Sequence, residues 1–485
     1  MDRYFAGIDI GTQGARVVVL GLDGQIAAQA SRVFPLTEDS RETQDPELWW
    51  QSCRDCFLEI STDSRNANLL KSITAIGITS TSGTVIPLDE NHQPLHPAIM
   101  YSDQRSAAQG VFCTAAAERA GQKGFTTFNS SCGLSKMLWF LETYPEQVNK
   151  LNSWIHAADY IAGKLSGRWG FTDYTNAFKS GYDVSRLEWP DYLFDALPLQ
   201  RHWMPEVLPS GSVLGSIDAL VAKELALPDT ILITVGITDG CASQIASGAV
   251  EPGAWNTTIG TTMVIKGVTH QEVLDPAGRI YSHRHPAGYW MPGGASNTGA
   301  DWVTNAFGDQ LDQLNREAEK LIPTGLIAYP LRQQGERFPM IAPDARGFEP
   351  EGLSTELQFT ANMEGVAYLE RYAYELISYL SGEKIHAVYT AGGGSNSAVW
   401  LQIRCNVMNV PVIRMQEVSG AVGAAISAAS QTHFNSLIEA AAALSIKSLE
   451  IQPDPELAAR YNSYYQDFLQ AMLRKGYIRT TEIYA

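Results

Sequence analysis

The chain begins with short apolar segments that are separated by glycine and polar residues. Three of these segments have the composition of β-strands: 4–10, 15–22 and 25–31. A helical pattern follows from about Asp45 to Ile60, and a further apolar strand covers residues 73–80. Strands that precede a helix and then another strand are typical of an α/β layer with a mixed sheet. The pattern therefore predicts an α/β domain at the start of the chain.

The opening pattern recurs near residue 231. An apolar strand ends in Asp239, a helical pattern follows, and residues 254–268 read as a strand, a Gly-Thr turn and a second strand. Both GIDIGTQGARVVVL and NTTIGTTMVIKGV place Ile-Gly-Thr between apolar strands. Two such hairpins predict a duplicated α/β unit whose hairpins face each other across a cleft.

A domain boundary is predicted near residues 240–252, with Pro252 and Gly253 as a hinge. This places the predicted domains at 1–245 and 246–485. Helical spacing in the second part covers 356–380, 397–409 and 419–430, and an amphipathic helix from Pro455 closes the chain. Residues 170–193 carry aromatic, turn and polar residues, so this segment is predicted to be a loop-rich ligand-binding or lid surface.

Charge and composition narrow the range of functions. The 485 residues are 45% hydrophobic, and their formal net charge is −17. Nucleic acid and anionic membranes are therefore unfavourable partners, whereas a local cluster of backbone amides can still bind a nucleotide phosphate. The N-terminus lacks a signal-peptide pattern, and no window reaches the length of a membrane span, so a soluble, cytoplasmic protein is expected.

The cysteines and histidines give little indication of a metal or redox site. Cys53 and Cys56 form an isolated CxxC within the first helical pattern, which favours packing over zinc or redox chemistry. His283 and His285 fall on one face of a strand, but no third ligand accompanies them. Neither pair is a strong metal-site candidate.

Phosphate binding has three candidate segments, because the P-loop and dinucleotide motifs are both absent. Two are the Gly-Thr hairpin turns, where glycine permits close approach and threonine supplies a hydroxyl and an amide. The third is AGGGSNSAVW, in which three glycines join a strand to a helix. A tight strand-to-helix turn without a ligand explains the third segment equally well.

Asp9 and Asp239 each interrupt or end an apolar strand beside a glycine. The predicted duplication brings both to the floor of one cleft, where one carboxylate holds Mg²⁺ and the other accepts a proton. The alternative for Asp239 is an N-cap of a helix that starts at Cys241, which is compatible with catalysis.

Seven motifs in order resemble the FGGY carbohydrate kinases over nearly the whole chain: GIDIGTQGAR, IGITSTSGTVIPLD, PAIMYSDQR, KMLWFLE, TDYTNAFKSGYD, GITDGCASQIASGAVEPGAWNTTIGTT and AGGGSNSAVW. Within this family, TSGTV, GERFP and GYWMPGGASN are most similar to the D-ribulokinase and xylulokinase-like branch. The resemblance implies two actin-like, ribonuclease H-like ATPase domains with a central ligand cleft. It further implies that the sugar binds in the cleft and that ATP binds on the second domain.

The resemblance also assigns roles to individual residues. It implies Asp9 for the metal, Asp239 as catalytic base, and Ser82, Asp103 and Asp239 for the sugar. The implied ATP-binding residues are Thr12, Gln13, Gly260, Thr261, Thr262, Gly393, Gly394, Ser397 and Trp400. Two features depart from the family pattern: Ser397 replaces an asparagine, and SSCGLSKMLW matches the first family signature only in part.

The implied reaction transfers the γ-phosphate of ATP, with Mg²⁺ as cofactor, to the terminal primary hydroxyl of a ketopentose. D-ribulose is the expected substrate, and D-xylulose, another keto-sugar and a polyol are the alternatives. A rival of another class is an actin-like ATPase with a conformational or sensing role. It explains Asp9 and the hairpins but leaves the sugar-side residues Ser82, Asp103 and Asp239 without a role. The oligomeric state stays open, a homodimer included.

Overall fold

A computed structural model describes residues 3–63 and 66–484 of the chain. It divides the chain into two compact units. The first consists of Met1–Gly248, His283–Gly288 and Val418–Ile446, and the second of Ala249–Ser282, Tyr289–Glu417 and Lys447–Ala485.

The strands, in chain order, are β1 (Tyr4–Ile10), β2 (Gly14–Gly21), β3 (Ile26–Val33), β4 (Thr43–Gln44), β5 (Ile73–Ser80), β6 (Val85–Leu88), β7 (Ala98–Ile99), β8 (Ser153–His156), β9 (Phe171–Asp173), β10 (Glu206–Leu208), β11 (Val213–Ser216), β12 (Leu232–Thr234), β13 (Ile237–Thr238), β14 (Ala254–Ile259), β15 (Met263–Gly267), β16 (Tyr281–Arg284), β17 (Trp290–Ser296), β18 (Ala387–Ala391), β19 (Val412–Met415) and β20 (Lys447–Ile451).

The α-helices are α1 (Pro46–Thr62), α2 (Ala67–Leu70), α3 (Ala107–Arg119), α4 (Gly133–Thr143), α5 (Ala157–Ser166), α6 (Tyr174–Phe178), α7 (Tyr192–Asp195), α8 (Ala219–Glu224), α9 (Asp239–Ala246), α10 (Asp301–Phe307), α11 (Leu311–Leu321), α12 (Thr355–Ser381), α13 (Ala398–Met408), α14 (Gly420–Thr432), α15 (Leu437–Leu444) and α16 (Pro455–Arg474). The predicted N-terminal strands and the amphipathic C-terminal helix are confirmed.

The two large sheets repeat one topology. In the first unit the strand order is β3-β2-β1-β5-β12-β11, and β13 also pairs with β5. In the second sheet, whose first strand is β16, the other six strands have the corresponding order β17-β15-β14-β18-β19-β20. In each sheet the pairs are, in this order, antiparallel, antiparallel, parallel, parallel and antiparallel. The predicted duplication of an α/β unit around two hairpins is therefore confirmed.

Helix α14 joins the first unit although it follows most of the second unit in sequence. Its backbone lies against strand glycines: a Cβ at Gly7 would overlap the carbonyl of Ala421, and one at Gly77 would overlap that of Ala424. On another face of α14, a Cβ at Gly423 would overlap the Ala242 carbonyl of α9. This close approach explains why residues 418–446 belong to the first unit. The sequence-based division differs here, because it places these residues in the second domain, 246–485.

The second unit is built around α12, a helix of 27 residues that is capped by Ser354 and ends at Gly382 in the left-handed conformation. Its buried Glu370 receives two hydrogen bonds of 2.7 Å from Arg404 of α13. Arg404 also donates to Thr390 Oγ1 of β18 at 2.8 Å. Because both charges are fully buried and paired, this ion pair fixes the two helices on the sheet.

The expectation of a loop-rich surface at 170–193 is wrong for its first part. Residues 171–178 form β9 and α6, and every residue of α6 is buried. Asp173 accepts hydrogen bonds from the amides of Thr175 and Asn176, so it is a buried N-cap of α6. The polar residues of this segment therefore bond to one another inside the unit, which composition alone does not reveal.

Cys53 and Cys56 are buried in the hydrophobic core on α1, as expected for packing residues. Across the described residues, none of the helices is both long and apolar enough to cross a lipid bilayer.

We expect Gly77→Ala to lower the free energy of unfolding by about 2 kcal/mol, because the added methyl group meets the rigid backbone of α14. The matched control is Gly21→Ala, also in a strand, where the nearest atom is the flexible side chain of Asp23. Urea unfolding of both variants measures the difference. Equal stabilities would contradict the close approach of α14.

A second prediction concerns Glu364 of α12. Burial raises the pKa of Glu364 from 4.5 to about 7, although Thr324 and Tyr461 donate hydrogen bonds to its carboxylate. The unfolded chain therefore loses this proton at lower pH than the folded chain does. Stability should fall between pH 4.5 and about 7, by on the order of 3 kcal/mol, and level off above this range.

Glu364→Gln carries no charge at this position and should lack this part of the pH dependence. Urea unfolding at about pH 5 and about pH 8 measures the difference between the two proteins. If the difference in the free energy of unfolding between wild type and Glu364→Gln is the same at both pH values, the pKa of Glu364 is not raised in the folded protein.

Candidate active site

The carboxyl ends of three parallel strands meet in the first unit. Strand β5 pairs in parallel with β1 and with β13. In this register Asp9 is opposite Thr79, and Thr238 is opposite Ser80. Asp9, the loop after Ser80 and Asp239 therefore leave the sheet side by side, at the edge where α/β sheets bind ligands.

Asp9 and Asp239 influence each other electrostatically, as the predicted pairing of these two carboxylates requires. Burial and, secondly, the charge of Asp239 raise the pKa of Asp9 to about 6, while Arg16 opposes the shift. Arg16 is the register partner of Asp9 on β2. Two carboxylates at one strand edge form a site where an added cation is favourable.

Asp239 does not cap a helix that starts at Cys241. Helix α9 begins at Asp239, and Thr238 is its N-cap. The Asp239 side chain is exposed, and its Oδ1 accepts from the amide of Gly240 at 2.7 Å. The helix therefore starts two residues earlier than the alternative required, and the carboxylate lies in its first turn, where the helix dipole stabilises negative charge.

A buried carboxylate supports the start of α9. The amide of Thr238 donates to Thr175 Oγ1 at 2.9 Å, and the hydroxyl of Thr175 donates to Asp173 at 2.7 Å. Ser210 also donates to Asp173. These bonds fix the residue that immediately precedes Asp239, so Asp173 and Thr175 help to orient the predicted base.

Ser82 lies in the loop between β5 and β6. Its Oγ is buried and has no hydrogen-bond partner among the described residues, and the same holds for the hydroxyls of Thr79 and Ser80. Thr81 and Thr84 instead bond to each other at 2.9 Å. A buried hydroxyl without a partner costs about 1–3 kcal/mol, so this loop is suited to a ligand that supplies the missing bonds.

The turn between β1 and β2 carries Thr12 and Gln13. The amide of Gly11 donates to the carbonyl of Gly14 at 3.0 Å and closes the turn. Thr12 Oγ1 donates to Tyr101 Oη at 3.2 Å, and the side chain of Gln13 is exposed. The predicted phosphate contacts of this turn stay predictions.

Asp103 is fully buried, and Arg105 occupies its carboxylate. Arg105 donates from its backbone amide, from Nε and from Nη2, at 2.7–3.0 Å. The guanidinium also lies 4.3 Å from the ring centroid of Trp139 and is about a third exposed. At the predicted sugar contact, the accessible group is therefore Arg105, because the Asp103 carboxylate is fully buried.

Lys136 is buried next to Asp103. Its Nζ is fully buried and bonds to the carbonyl of Ser130, with the carbonyl of Asp103 at 3.5 Å. Burial lowers the pKa of Lys136 to about 8, opposed by Asp103. The buried cation thus supports the turn that carries Asp103.

Within residues 3–63 and 66–484, no group of three or more His, Cys, Asp or Glu side chains is arranged to hold a metal ion. His283 and His285 are both buried and belong to the first unit. A cation at Asp9 would therefore need non-protein ligands such as water or phosphate oxygens.

The second unit carries the other predicted phosphate turn, at the tip of the β14–β15 hairpin. The amide of Gly260 donates to the carbonyl of Thr262 at 3.0 Å. Thr261 is exposed, Thr262 is partly exposed, and a Cβ on Gly260 would meet nothing within 4 Å. Open space at the tip leaves these residues accessible to a ligand.

The glycine turn after β18 lies beside this hairpin. Gly392 has φ +86°, and a Cβ there would overlap the carbonyl of Ile259, so the left-handed conformation and the contact both require glycine. A Cβ on Gly393 would meet nothing within 4 Å, whereas Gly394 packs on Ile259 and Trp400. The two turns are therefore adjacent in this unit.

Ser397 and Trp400 have structural partners. Ser397 caps α13, where its Oγ accepts from the amide of Trp400 at 3.2 Å and donates to Asn315 at 2.5 Å. Trp400 is 2% exposed, and its indole N–H donates to the carbonyl of Met363 at 3.1 Å. Their predicted contacts with adenosine stay predictions. The Trp400 ring packs against Gly394 and so supports the glycine turn.

Sequence reasoning missed three side chains of this arrangement. Arg105 stands two residues after Asp103, a spacing that suits a local salt bridge. Asp173 and Thr175 lie in the TDYTNAFKSGYD motif, and the Asp-x-Thr spacing at the start of α6 is a capping signal.

Comparison with known proteins gives consistent results. A xylulose kinase of Bacillus subtilis (strain 168) is 26% identical over 96% of this chain and 95% of its own length. A gluconokinase of the same strain is 25% identical over 85% of this chain and 84% of its own length. A solved structure of a "xyloylose kinase" from Brucella ovis has a TM-score of 0.86 at 21% identity, covering 98% of this chain and 99% of that one.

The structural likeness, together with the repeated sheets, confirms the expected fold class of two actin-like α/β ATPase domains. The model for the N-terminal domain of the FGGY family of carbohydrate kinases matches residues 4–246. The model for the C-terminal domain of the same family matches residues 255–432. Because these matches span both halves, the chain belongs to the FGGY family of carbohydrate kinases.

Proposed function

We propose that this kinase transfers the γ-phosphate of ATP to the terminal primary hydroxyl of a ketopentose, with D-ribulose as the preferred substrate. The observation that carries the proposal is the position of Asp239 at the carboxyl end of β13, next in register to the loop that contains Ser82. A carboxylate beside a loop of hydroxyl groups is the pairing that activation of a sugar hydroxyl needs.

In this mechanism Asp239 accepts the proton of the attacking hydroxyl. Its exposure lets it reach a substrate, and its place in the first turn of α9 stabilises the ionised form. Asp173 and Thr175 hold the backbone amide of Thr238, which precedes the base. The orientation of Asp239 is therefore set by the fold and not by the substrate. General base catalysis of this kind contributes about 10²–10⁴ in rate.

Asp9 is the residue proposed to hold Mg²⁺. Its carboxylate is half-buried and its pKa is raised by burial and by Asp239, so a nearby cation would offset an unfavourable charge. Mg²⁺ keeps several water and phosphate ligands, and a single protein carboxylate is therefore sufficient. When bound, the ion would neutralise charge on the ATP phosphates.

The ATP side of the proposal rests on the second unit. Gly260–Thr262 and the glycine turn at Gly392–Gly394 are adjacent, and Gly260 and Gly393 both border open space, as a backbone that approaches phosphates must. Ser397 and Trp400 would act on the adenosine through the turn that they support.

The size of the sugar follows from the unpaired hydroxyls. Thr79, Ser80 and Ser82 carry buried Oγ atoms that have no described partner. A pentulose has more hydroxyl groups than glycerol to pair with the end of β5 and the loop that follows it, so glycerol would leave part of this set unpaired. The exposed edge of Arg105 adds a donor on the same unit.

D-xylulose is the second candidate, because one of the relatives is named a xylulose kinase. D-ribulose and D-xylulose differ at one stereocentre, so one or two hydrogen bonds separate them, worth about tenfold. Ser82 is the residue that we propose makes one of these bonds.

We expect Asp239→Asn to fold and to bind sugar almost normally, while kcat falls by about 10²-fold or more, because the amide cannot accept the proton. The matched control is Asp312→Asn, which also alters an exposed acid in the first turn of a helix. A coupled ADP-release assay measures both variants. Retention of more than half of kcat in Asp239→Asn would exclude it as the base.

Substrate choice is tested with D-ribulose, D-xylulose, gluconate and glycerol in the same assay. We expect kcat/KM to be highest for D-ribulose, lower by about tenfold for D-xylulose, and far lower for glycerol. Ser82→Ala should lower kcat/KM for the pentulose, whereas Ser52→Ala, on α1 and bonded to Leu48, should not.

A higher value for D-xylulose would replace D-ribulose as the substrate and leave the kinase mechanism intact. ATP turnover that no sugar stimulates would instead favour a conformational or sensing ATPase.

A further inference from the structure

We infer that Glu336 is a positioning residue for the phosphate turn Gly260–Thr262. The inference rests on the proposed function, because it takes this turn as a contact of ATP. Glu336 lies in the GERFP segment, for which neither the sugar site nor the nucleotide site provides a role. It is 3% exposed and belongs to the second unit together with every residue that it binds.

Five donors converge on the Glu336 carboxylate. Oε2 accepts from Ser296 Oγ at 2.8 Å, from Thr298 Oγ1 at 2.9 Å and from Tyr329 Oη at 3.0 Å. Oε1 accepts from the backbone amides of Asn297 at 2.7 Å and Arg337 at 3.0 Å. So many donors offset the cost of burying the carboxylate. Three of the five belong to one short segment, residues 296–298, which begins at the last residue of β17.

Two further bonds tie the same segments together. Asn297 Nδ2 donates to the carbonyl of Gly335 at 2.9 Å, and Arg337 Nε donates to the carbonyl of Ala295 at 2.8 Å. The amide of Thr298 also donates to Ser296 Oγ at 2.9 Å. Residues 296–298 are therefore held by hydrogen bonds to Glu336 and its neighbours.

The segment held by Glu336 in turn holds the phosphate turn. The amide of Met263 donates to the carbonyl of Thr298 at 3.0 Å, and the amide of Ala300 donates to the carbonyl of Gly260 at 2.7 Å. Between these bonds, a Cβ on Gly299 would overlap the backbone at Gly260, Thr261 and Thr262. The backbone of 298–300 is thus in direct contact with every residue of the turn. A shift of this segment would move the amides that are proposed to bind phosphate.

Glutamine cannot replace this carboxylate without loss. Two of the five donors are backbone amides, which cannot reverse their polarity, so a glutamine must turn its carbonyl to Asn297 and Arg337. Its NH₂ group then faces three hydroxyls, of which Ser296 Oγ already accepts from Thr298. Glu336→Gln therefore keeps the shape of the side chain but weakens its hold on 296–298.

The test separates positioning from general stability. We expect Glu336→Gln to raise KM for ATP and to weaken inhibition by ADP by about tenfold, with KM for the sugar and inhibition by adenosine within about twofold of the wild type. The matched control is Glu364→Gln, which alters another buried, multiply bonded glutamate of the same unit, whose hydrogen bonds come from Thr324 and Tyr461. It should change stability and leave KM for ATP unchanged.

Ser296→Ala is the second variant, in case Glu336→Gln does not fold. It removes one donor to Glu336 and the acceptor of the Thr298 amide, so the same selective rise in KM for ATP is expected. Unchanged ATP and ADP constants in the folded variants, or equal losses for adenosine and ADP, would overturn the inference.

Gly260→Ala keeps this result distinct from a failure of the proposed function, because the added methyl group meets no protein atom within 4 Å and enters the open space at the tip of the turn. If Gly260→Ala weakens ATP binding while Glu336→Gln does not, the turn binds phosphate and Glu336 has no positioning role. If neither variant affects ATP, the assignment of the turn itself is wrong.

Discussion

The close approach of α14 to the first sheet is the constraint on which the first unit depends. The helix backbone reaches Gly7 and Gly77 so closely that any side chain at either position would overlap a carbonyl. The same approach brings Gly420, the first residue of α14, against the carboxylate of Asp9. Burial of Asp9 is the largest cause of its raised pKa, so a packing requirement of the fold also sets the electrostatics of the site. Fold and chemistry are therefore coupled through small residues.

Both units place a buried carboxylate behind the residues that are proposed to act on ligands. Asp173 accepts bonds from Thr175, Asn176 and Ser210 and so fixes the amide before Asp239. Glu336 accepts five bonds and so fixes the segment behind Gly260–Thr262. A buried carboxylate is well suited to this task, because each oxygen accepts several bonds and its desolvation makes a partly bonded arrangement unfavourable. Such residues hold the backbone of the proposed site in place.

Local patterns predicted the local structure well. The apolar run at 4–10 and the strand at 73–80 have the bounds that the structure gives to β1 and β5, because period and turn residues act over a few positions. The assignment of α14 to the first unit was not predictable in this way, since a run of small residues indicates close packing but not the partner. Residues 171–178 were misread because satisfied polar groups inside a fold have the same composition as a surface loop. The contacts of Glu336 with 296–298 join residues distant in sequence, and no periodicity encodes them.

The unpaired hydroxyls around Ser82 agree with the proposed sugar site. Other buried hydroxyls of the same unit, such as those of Thr175 and Ser210, have partners, whereas that of Ser135 has none among the described residues. Leaving Thr79, Ser80 and Ser82 without described partners lowers stability by an amount that a hydroxyl-rich ligand would restore on binding. Under the proposed function, the same absence of partners would make the site selective, because a ligand with too few hydroxyls would leave the cost in place. Under the proposed function, specificity for a sugar would follow from the hydrogen bonds that Thr79, Ser80 and Ser82 still lack.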